Sequence, residues 1–227
     1  MERLNDDEQI ACIQAIADGS DVDEAKEKLL RHLVKDFTSR RVELELIKLL
    51  ASGNVDAKEI LLTYTRRYSL MTNVQVELVR TLITNPSGAK EILVSYLQKR
   101  ELCDEADAKL VELLAAGNTY AKEVLVTYAQ QHPFCNVRLE QLIDLLVNND
   151  ANAKEVLMAY AETRSFDYLS EIRLVETLRK KSPAVKEFLL FYSRQYFLYK
   201  DGAGLVLSRL AQEGNKDARE VSARLNG

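Results

Sequence analysis

The chain has 227 residues, of which 47% are hydrophobic and 29% charged, with only three Pro and eight Gly. This composition excludes collagen-like, low-complexity and disordered chains, and it supplies enough apolar side chains for a large core. Because the formal net charge is only −4, bulk charge gives no reason to expect binding to nucleic acid or to an anionic membrane.

The N-terminal residues 1–8 lack the basic start and apolar stretch of a signal peptide. No apolar run in the chain approaches the roughly 18 residues of a membrane span. The three cysteines, Cys12, Cys103 and Cys135, are an odd number and too few for a disulfide framework, which is typical of a reducing compartment. The sequence therefore predicts a cytoplasmic protein without membrane contact.

A short string of the type Ala-Lys-Glu, followed by apolar residues and a Tyr, recurs along the chain with a period of 32 residues. Four close copies and three diverged copies begin at Ala57, Ala89, Ala121, Ala153, Val185, Ala25 and Ala218. A fixed period of this length is the signature of a repeat protein. The copies predict about seven units that fill the chain.

Each unit contains two segments with the 3.6-residue period of a helix. The first is amphipathic, and the second has apolar residues at positions 0, 3, 4 and 7 counted from the Ala, so it is covered on two sides. The turn between them carries a residue that tolerates the left-handed conformation. These turn residues are Gly53, Asn85, Gly117, Asn149 and Gly214.

Two starting points are open for the second helix of each unit. The helix begins after an N-cap at Asn54, Asn118, Asp150, Ser182 or Asn215, or it begins two residues later, where Asp56 and Glu59 have the spacing of a capping box. The pattern does not choose between them.

A two-helix unit of this size cannot cover both faces of its second helix, so successive units must stack. The sequence predicts an all-α fold, an α-solenoid of about seven two-helix repeats of 32 residues that forms a curved right-handed superhelix. It predicts a single domain, with an N-terminal capping repeat at 1–38, central repeats at 39–198 and a C-terminal capping repeat at 199–227.

The chain resembles, over its whole length, the helical-hairpin repeat superfamily of HEAT, armadillo, TPR and Sel1-like proteins. The resemblance is one of architecture, because the TPR and Sel1 signatures and the longer HEAT unit are absent. It therefore points to no specific family within that superfamily.

Nothing in the sequence indicates catalysis, a cofactor or a metal, so the chain is not expected to be an enzyme. His32 and His132 lie about three repeats apart and are interpreted as substitutions at repeat positions. Cys103 and Cys135 occupy the same position in adjacent repeats, but stacked helices are about 8 to 10 Å apart, which is too far for a disulfide. We interpret them as packed thiols.

Two ladders of residues follow the repeat. The Tyr ladder lies in the apolar stripe, which favours a place in the core; it consists of Tyr64, Tyr96, Tyr128, Tyr160 and Tyr192. The Lys and Glu of each Ala-Lys-Glu string either pair between neighbouring repeats or present charge to a ligand.

The partner-binding hypothesis rests on positions 2, 6 and 9 of the second helix, which share one face. If these helices form the concave wall, as the resemblance implies, they make a shallow groove of small residues edged with acid that suits a protein or peptide segment. The predicted partner-binding residues are Glu59, Thr63, Arg66, Glu91, Ser95, Gln98, Glu123, Thr127, Gln130, Glu155, Glu187, Phe191 and Arg194.

The sixth unit replaces the small residue of this face by Phe191, within a segment in which half of the twelve residues 188–199 are aromatic. The stripe predicts that Phe191 is exposed beside Arg194, as in a binding hot spot or a self-association site, although a thicker core near the C-terminal cap would also use aromatic residues.

The sequence thus favours a non-enzymatic protein-interaction scaffold. The alternative is a HEAT-like solenoid that contacts nucleic-acid backbone through a basic ridge on the loops. The ridge would consist of Arg66, Arg67, Lys99, Arg100, His132 and Arg164. A ridge of this kind is also common as a solvated edge, and the net charge argues against the nucleic-acid function.

Overall fold

The structure is a computed structural model, and it describes residues 4–225. Residues 1–3 and 226–227, the outermost parts of the two predicted capping repeats, lie outside the described residues. The described residues form fourteen α-helices and no β-strand. The helices are α1 (Asp6–Asp18), α2 (Val22–Leu33), α3 (Arg40–Ala51), α4 (Val55–Thr65), α5 (Thr72–Thr84), α6 (Pro86–Leu97), α7 (Asp104–Ala115), α8 (Thr119–Gln131), α9 (Asn136–Val147), α10 (Ala151–Thr163), α11 (Tyr168–Glu176), α12 (Pro183–Tyr192), α13 (Leu205–Gln212) and α14 (Lys216–Leu225).

Two short irregular helical turns lie near the C-terminal end of the described chain. A 3-10 turn, Thr177–Lys180, continues α11, and a π-helical turn, Lys200–Gly204, leads into α13. The last unit is one residue longer than the preceding ones, because Ala218 follows Val185 after 33 residues.

The chain divides into two compact units, each of which contains several repeat units, and the division falls between Leu110 and Val111, inside α7. In the first compact unit α1, α3 and α5 pack side by side in one layer, and α2, α4 and α6 form a second layer. In the second compact unit α9, α11 and α13 form one layer, and α8, α10, α12 and α14 form the other. Two layers of neighbouring helices agree with a helical-repeat architecture, whereas the number of repeats and the superhelix remain predictions.

The helix starts follow the first of the two capping registers. The Oδ1 atom of Asn54 accepts the N–H of Ala57 at 2.9 Å, and the side chain of Ser182 accepts the N–H of Val185 at 3.4 Å. The same bond is made by Asn85, Asn118, Asp150 and Asn215. Each of these side chains satisfies a backbone donor that the first helical turn leaves free, which fixes where the helix begins.

The turn residues are left-handed at four of the five predicted positions, as at Gly117, where φ is +82°. The prediction for Asn85 was wrong, because its φ is −134°. α5 ends at the residue before Asn85 and α6 begins at the residue after it. Asn85 therefore serves as the N-cap itself, and no separate turn residue is needed.

The Tyr ladder lies in the core, as predicted. Each of the five Tyr side chains exposes 5% or less of its surface. The neighbouring apolar residues of the second helices, such as Ile60 and Leu61, are fully buried. The regular burial of the same positions in each unit is what joins neighbouring second helices into one layer.

Candidate functional site

The predicted partner-binding residues lie at or near the surface of their units. The side chains at position 6 are half-buried; they are Thr63, Ser95, Thr127 and Phe191. The side chains at positions 2 and 9 are exposed; they are Glu59, Arg66, Glu91, Gln98, Glu123, Gln130, Glu155, Glu187 and Arg194. In the fifth unit the small residue, Ala159, is buried. Their role in binding stays a prediction.

The acidic edge of this face is largely engaged in ion pairs between neighbouring second helices. Lys58 lies 2.9 Å from Glu91, and Lys122 lies 2.7 Å from Glu155. Corresponding pairs join Lys26 to Glu59 and Lys154 to Glu187. The carboxylates are more than half exposed, so each pair contributes at most about 1 kcal/mol. These pairs confirm that the Lys and Glu of neighbouring repeats pair, whereas a role of the ladder in binding stays a prediction.

Three arginines of the predicted basic ridge bind backbone carbonyl groups near the end of the preceding second helix. Arg100 donates from Nη1 to the carbonyl oxygen of Thr65 at 2.8 Å. Arg164 donates to Ala129, and Arg67 donates to Val34 at 3.0 Å. The last carbonyls of a helix lack intrahelical donors, and a cation there is favourable. These guanidinium groups therefore connect neighbouring 32-residue repeats.

One loop position stacks on the buried Tyr that lies four residues before it. The guanidinium of Arg164 lies 5.3 Å from the ring centroid of Tyr160, and the ring of His132 lies 5.3 Å from that of Tyr128. Tyr68, Arg100 and Tyr196 occupy the same position. His132 is thus one member of a structural series, as the sequence analysis inferred.

A buried polar side chain on the first helix forms a link that the sequence analysis missed. Glu43 is 1% exposed and accepts the hydroxyl hydrogen of Tyr64 at 2.8 Å through Oε1. Its Oε2 accepts the N–H of Met71 at 3.2 Å, in the loop that leads to α5. The hydroxyl oxygen of Tyr64 accepts the N–H of Thr38 at 3.4 Å. One side chain therefore connects both helices of its unit to the next loop.

The same link recurs at the corresponding positions of other units. Glu171 accepts the hydroxyl of Tyr192 at 2.7 Å and the N–H of Tyr199 at 3.1 Å. Gln75 donates to the hydroxyl of Tyr96 at 3.3 Å and accepts the N–H of Cys103 at 2.8 Å. The sequence signal for this link was a polar residue that recurs between apolar residues of the first helix, as Glu43, Gln75 and Glu171 do.

Burial shifts the titration of these groups. The pKa of Glu43 is raised mainly by desolvation, against hydrogen bonds from Tyr64 and Met71 that lower it. The pKa of Glu171 is raised for the same reason. Desolvation and the neighbouring carboxylate also raise the pKa of Tyr64 well above its ordinary value. Buried acids with raised pKa values often mark active sites, but each of these is accounted for by its structural partners.

His32 takes the place of a ladder Tyr in the first unit. It is 7% exposed, and its Nε2 has no hydrogen-bond partner among residues 4–225. Together with Phe37 and Thr38 it lines a cavity of about 400 Å³. No group of three or more metal-ligating side chains occurs among the described residues.

The cysteines differ in their surroundings. Cys12 is buried, and desolvation raises its pKa. The prediction that Cys135 is packed was wrong, because Cys135 is exposed at the N-cap of α9. An N-cap residue precedes the apolar stripe of its helix, so the repeat position of this cysteine does not bury it.

The largest departure from the repeat pattern is an apolar surface in the second compact unit, called the C-terminal apolar surface. It consists of Tyr168, Leu169, Phe197, Tyr199 and Leu205, whose exposed fractions range from 44% to 89%. The rings of Tyr168 and Tyr199 lie 5.8 Å apart. Exposed apolar groups that adjoin one another mark interaction sites more often than scattered ones do.

The side chains of this surface are exceptions to the repeat. The first residue of a first helix is Tyr168 in α11, whereas the other units have Arg40, Thr72, Asp104 and Asn136 there. Phe197 stands where Ser69, Glu101, Pro133 and Ser165 occur in the four units before it, whereas the first unit has an exposed Phe37 there. Because four units stack without an aromatic residue at either position, Tyr168 and Phe197 are not needed for packing.

The predicted exposure of Phe191 is only partly met. Phe191 is half-buried on α12, while Phe188 and Tyr192 are fully buried and Phe197 is 89% exposed. The aromatic segment is thus divided between the core and the surface. The most exposed aromatic side chain lies in the loop after the helix, which a helical stripe does not describe.

The π-helical turn positions Tyr168 and the adjoining loop. The hydroxyl of Tyr168 donates to the carbonyl oxygen of Asp201 at 3.2 Å. A Cβ atom at Gly202 would lie 2.4 Å from the Tyr168 ring, so only glycine allows this approach. The turn thereby fixes one edge of the C-terminal apolar surface.

A groove of about 500 Å³ adjoins this surface at α13 and α14. Phe197 and Leu205 form its exposed apolar rim, and Leu198 and Leu207, which are buried, form its floor. Lys200, Ser208, Ser222 and Leu225 also line the groove.

Within residues 4–225, no helix combines the length and the apolar character needed to cross a bilayer. Comparisons of the chain with protein-family models, curated proteins and solved structures found no match.

Proposed function

We propose that this chain is a non-enzymatic protein-interaction scaffold that binds a segment of a partner protein. The C-terminal apolar surface supports this proposal most strongly. Its five large side chains are exposed to water, although the four units before Tyr168 have polar residues at its position and the four before Phe197 have no aromatic residue at its position. Large apolar residues that are dispensable for packing, and that adjoin a groove, are typical of a binding surface.

The face of the second helices is a further part of the proposed function. Its half-buried small residues, such as Thr63 and Ser95, leave room for a main chain. Because most of its carboxylates pair with lysines, we expect it to contribute shape more than charge. The superhelix that would make this face concave is part of the proposal.

The nucleic-acid alternative receives less support from the geometry. Arg67, Arg100 and Arg164 direct their guanidinium groups at backbone carbonyls. Part of the donors of each guanidinium is therefore engaged within the protein, which leaves fewer of them for phosphate recognition. If nucleic acid were nevertheless the ligand, its affinity would fall steeply as salt is raised.

The proposal is tested by site-specific photocrosslinking at Phe197, with Phe37 as the matched control. Phe37 occupies the same repeat position in the first unit and is also exposed, at 66%. We expect a crosslinker at Phe197 to capture a defined protein that one at Phe37 does not capture. The captured protein is then identified, purified and titrated against the full chain.

In that titration Phe197→Ser should weaken binding about tenfold, as removal of a buried aromatic anchor does, while Phe37→Ser should change it less than twofold. Circular dichroism of both variants establishes that they are folded. Equal affinity of both variants and the native chain would contradict the proposal, as would a captured ligand that is nucleic acid.

A further inference from the structure

The groove at α13 and α14 lies on a helix-packing surface that no helix of residues 4–225 covers. In the second unit α10 packs against α12 and α12 against α14, and α9, α11 and α13 follow one another in the same way. Among the described residues no later helix covers α13 or α14. The groove therefore presents one half of the interface that is complete elsewhere in the unit.

The residues that line the groove support this view. Ser208, Ser222 and Leu225 lie 33 residues after Val175, Leu189 and Tyr192, each of which is at most 1% exposed. Smaller side chains at these three places leave a recess instead of a flat cap. Since a helix layer fills this place in the preceding units, the recess has the shape for a helix.

The apolar residues of the groove determine which side chains one face of a bound helix must carry. Leu198 and Leu207 form the floor, and Phe197 and Leu205 form the rim. A floor and rim of this kind match an amphipathic helix with apolar residues at i, i+3 or i+4, and i+7.

The charges around the groove determine which side chains the other face of a bound helix should carry. Lys200 in the lining, Arg224, which directly precedes the lining residue Leu225 in the chain, and Arg194 are exposed and form no ion pair with any described residue. By contrast, Glu213 pairs with Arg179, and Asp217 and Glu220 both pair with Lys186. Asp201 is the acidic residue of segment 194–225 that forms no such pair. The unpaired charge of this segment is therefore mainly positive, and Lys200 carries it into the lining of the groove.

We propose that the groove binds an acidic amphipathic helix of a partner protein, with its apolar face on Phe197, Leu205 and Leu207 and its carboxylates near Lys200 and Arg224. This assignment rests on the function proposed above and names the chemistry of the partner segment. Complementary charge of this kind increases the association rate and selects the partner.

A second copy of this chain fits the groove less well. Its most acidic helix starts are those of α1 and α7, each with three acidic residues in the first turn. The apolar residues of both helices are buried, as Ile13 and Ile16 are in α1 and Leu110 and Leu114 in α7. Binding through either helix would thus require its packing to open, which a separate partner helix does not.

The test uses the full chain and two synthetic, fluorescein-labelled peptides of about 18 residues, five turns of helix. Both carry Leu at helical i, i+3/i+4 spacing, and they differ only in having Glu or Lys at the remaining charged positions. Fluorescence anisotropy should show at least tenfold tighter binding of the Glu peptide in low salt. Equal or tighter binding of the Lys peptide would overturn the proposal, as would binding of neither.

Variants locate the binding. Lys200→Glu, an exposed change that leaves the core intact, should weaken the Glu peptide at least fivefold and reduce its advantage over the Lys peptide. Leu205→Ser should weaken both peptides, and Phe37→Ser should change neither. An unchanged Glu-peptide affinity in Lys200→Glu, with the variant shown to be folded by circular dichroism, would place the peptide elsewhere and overturn the assignment.

The two proposals fail separately. If neither peptide binds but the crosslinked partner still depends on Phe197, the interaction function stands and the acidic helix is excluded. If the Glu peptide binds as described but crosslinking at Phe197 finds no partner, the groove chemistry stands and the scaffold function fails. Concentration-dependent dimers in sedimentation that Phe197→Ser abolishes would assign the groove to a second copy and overturn the proposal.

Discussion

At the scale of single residues, the buried link from the first helix to the next loop is the feature with the clearest energetic consequence. Glu43 holds the hydroxyl of Tyr64 and the N–H of Met71 from a position that is 1% exposed. Gln75 makes corresponding contacts without a charge. The link therefore requires hydrogen bonding in the core, and the charge of Glu43 is an added desolvation cost.

We predict that Glu43→Gln removes a pH dependence of stability. Because burial raises the pKa of folded Glu43, its contribution is complete below the unfolded pKa and is lost as the pH rises through the folded value. The variant should equal the native chain near pH 4 and exceed its free energy of unfolding by about 1 kcal/mol near pH 7. Urea unfolding across this range measures the difference.

The reverse change, Gln75→Glu, is the matched control. It should lower the free energy of unfolding near pH 7 and make it more dependent on pH, since it places a new carboxyl in the corresponding buried position. A loss of stability in Glu43→Gln that grows as the pH rises from 4 to 7 would show that the ionised form makes the stronger bonds, and it would contradict the prediction.

The residue scale also marks where prediction from sequence ends. The Tyr ladder was placed correctly because its position in the apolar stripe settles its burial. The hydrogen bonds of the loop arginines were not predicted, because their acceptors are backbone carbonyl groups, as in the bond from Arg100 to Thr65. Every residue carries a carbonyl group, so the sequence does not mark which one is the acceptor. Phe197 was missed because it follows the last regular turn of α12, where helical periodicity no longer applies.

At the scale of the elements, the starts of the first helices are capped unevenly. Ser39 and Asp167 cap α3 and α11 with their side chains. Met71 and Cys135 occupy the corresponding places before α5 and α9 and make no capping hydrogen bond through their side chains. In these two helices the N–H of the third residue, Val74 or Arg138, bonds instead to the carbonyl oxygen of the residue before the helix, at 2.9 and 3.0 Å.

We predict that Cys135→Asp stabilises the second unit by about 0.5 to 1 kcal/mol, because it supplies the missing N-cap of α9. The backbone of Cys135 already has the extended conformation of an N-cap, with φ −68° and ψ 157°, and its side chain is exposed. The urea midpoint at neutral pH measures the gain. Cys135→Ala should give no increase, and an equal increase in both variants would exclude capping as the cause.

The existing N-cap of α11, Asp167, supports the same argument about capping. Asp167 accepts the N–H groups of Leu169 and Ser170 at 2.9 and 3.1 Å. Desolvation opposes ionisation, but hydrogen bonds from Ser170 and Leu169 outweigh it and lower the pKa of Asp167. A lowered pKa gives stability that is present at neutral pH and is lost as the pH falls through the folded value.

At the scale of the whole chain, the 32-residue period was sufficient to predict helices in two layers, because the same positions are buried in each unit. It was not sufficient for the exceptions. The extra residue of the last unit forms the π-helical turn near Gly202, which seats Tyr168. A period describes what the units share, whereas the candidate binding surface consists of what one unit does differently.

The last prediction follows from the packing of the second unit. α10 contacts α8, α9 and α12, whereas α14 contacts α12 and α13. Opening the last two helices breaks fewer interfaces than opening the middle of the layer, so stability should fall toward α14. Val156 and Val221 are matched probes, because both are fully buried valines at the same repeat position.

Hydrogen exchange should show the amide of Val221 exchanging at least tenfold faster than that of Val156, a difference of about 1.4 kcal/mol in opening free energy. Low concentrations of urea should accelerate exchange at Val156 more steeply, because its opening exposes more surface. Equal exchange rates with the same urea dependence would mean that the second unit opens all at once. In that case the helices of this unit would form one cooperative core, and stability would not be a sum over neighbouring interfaces.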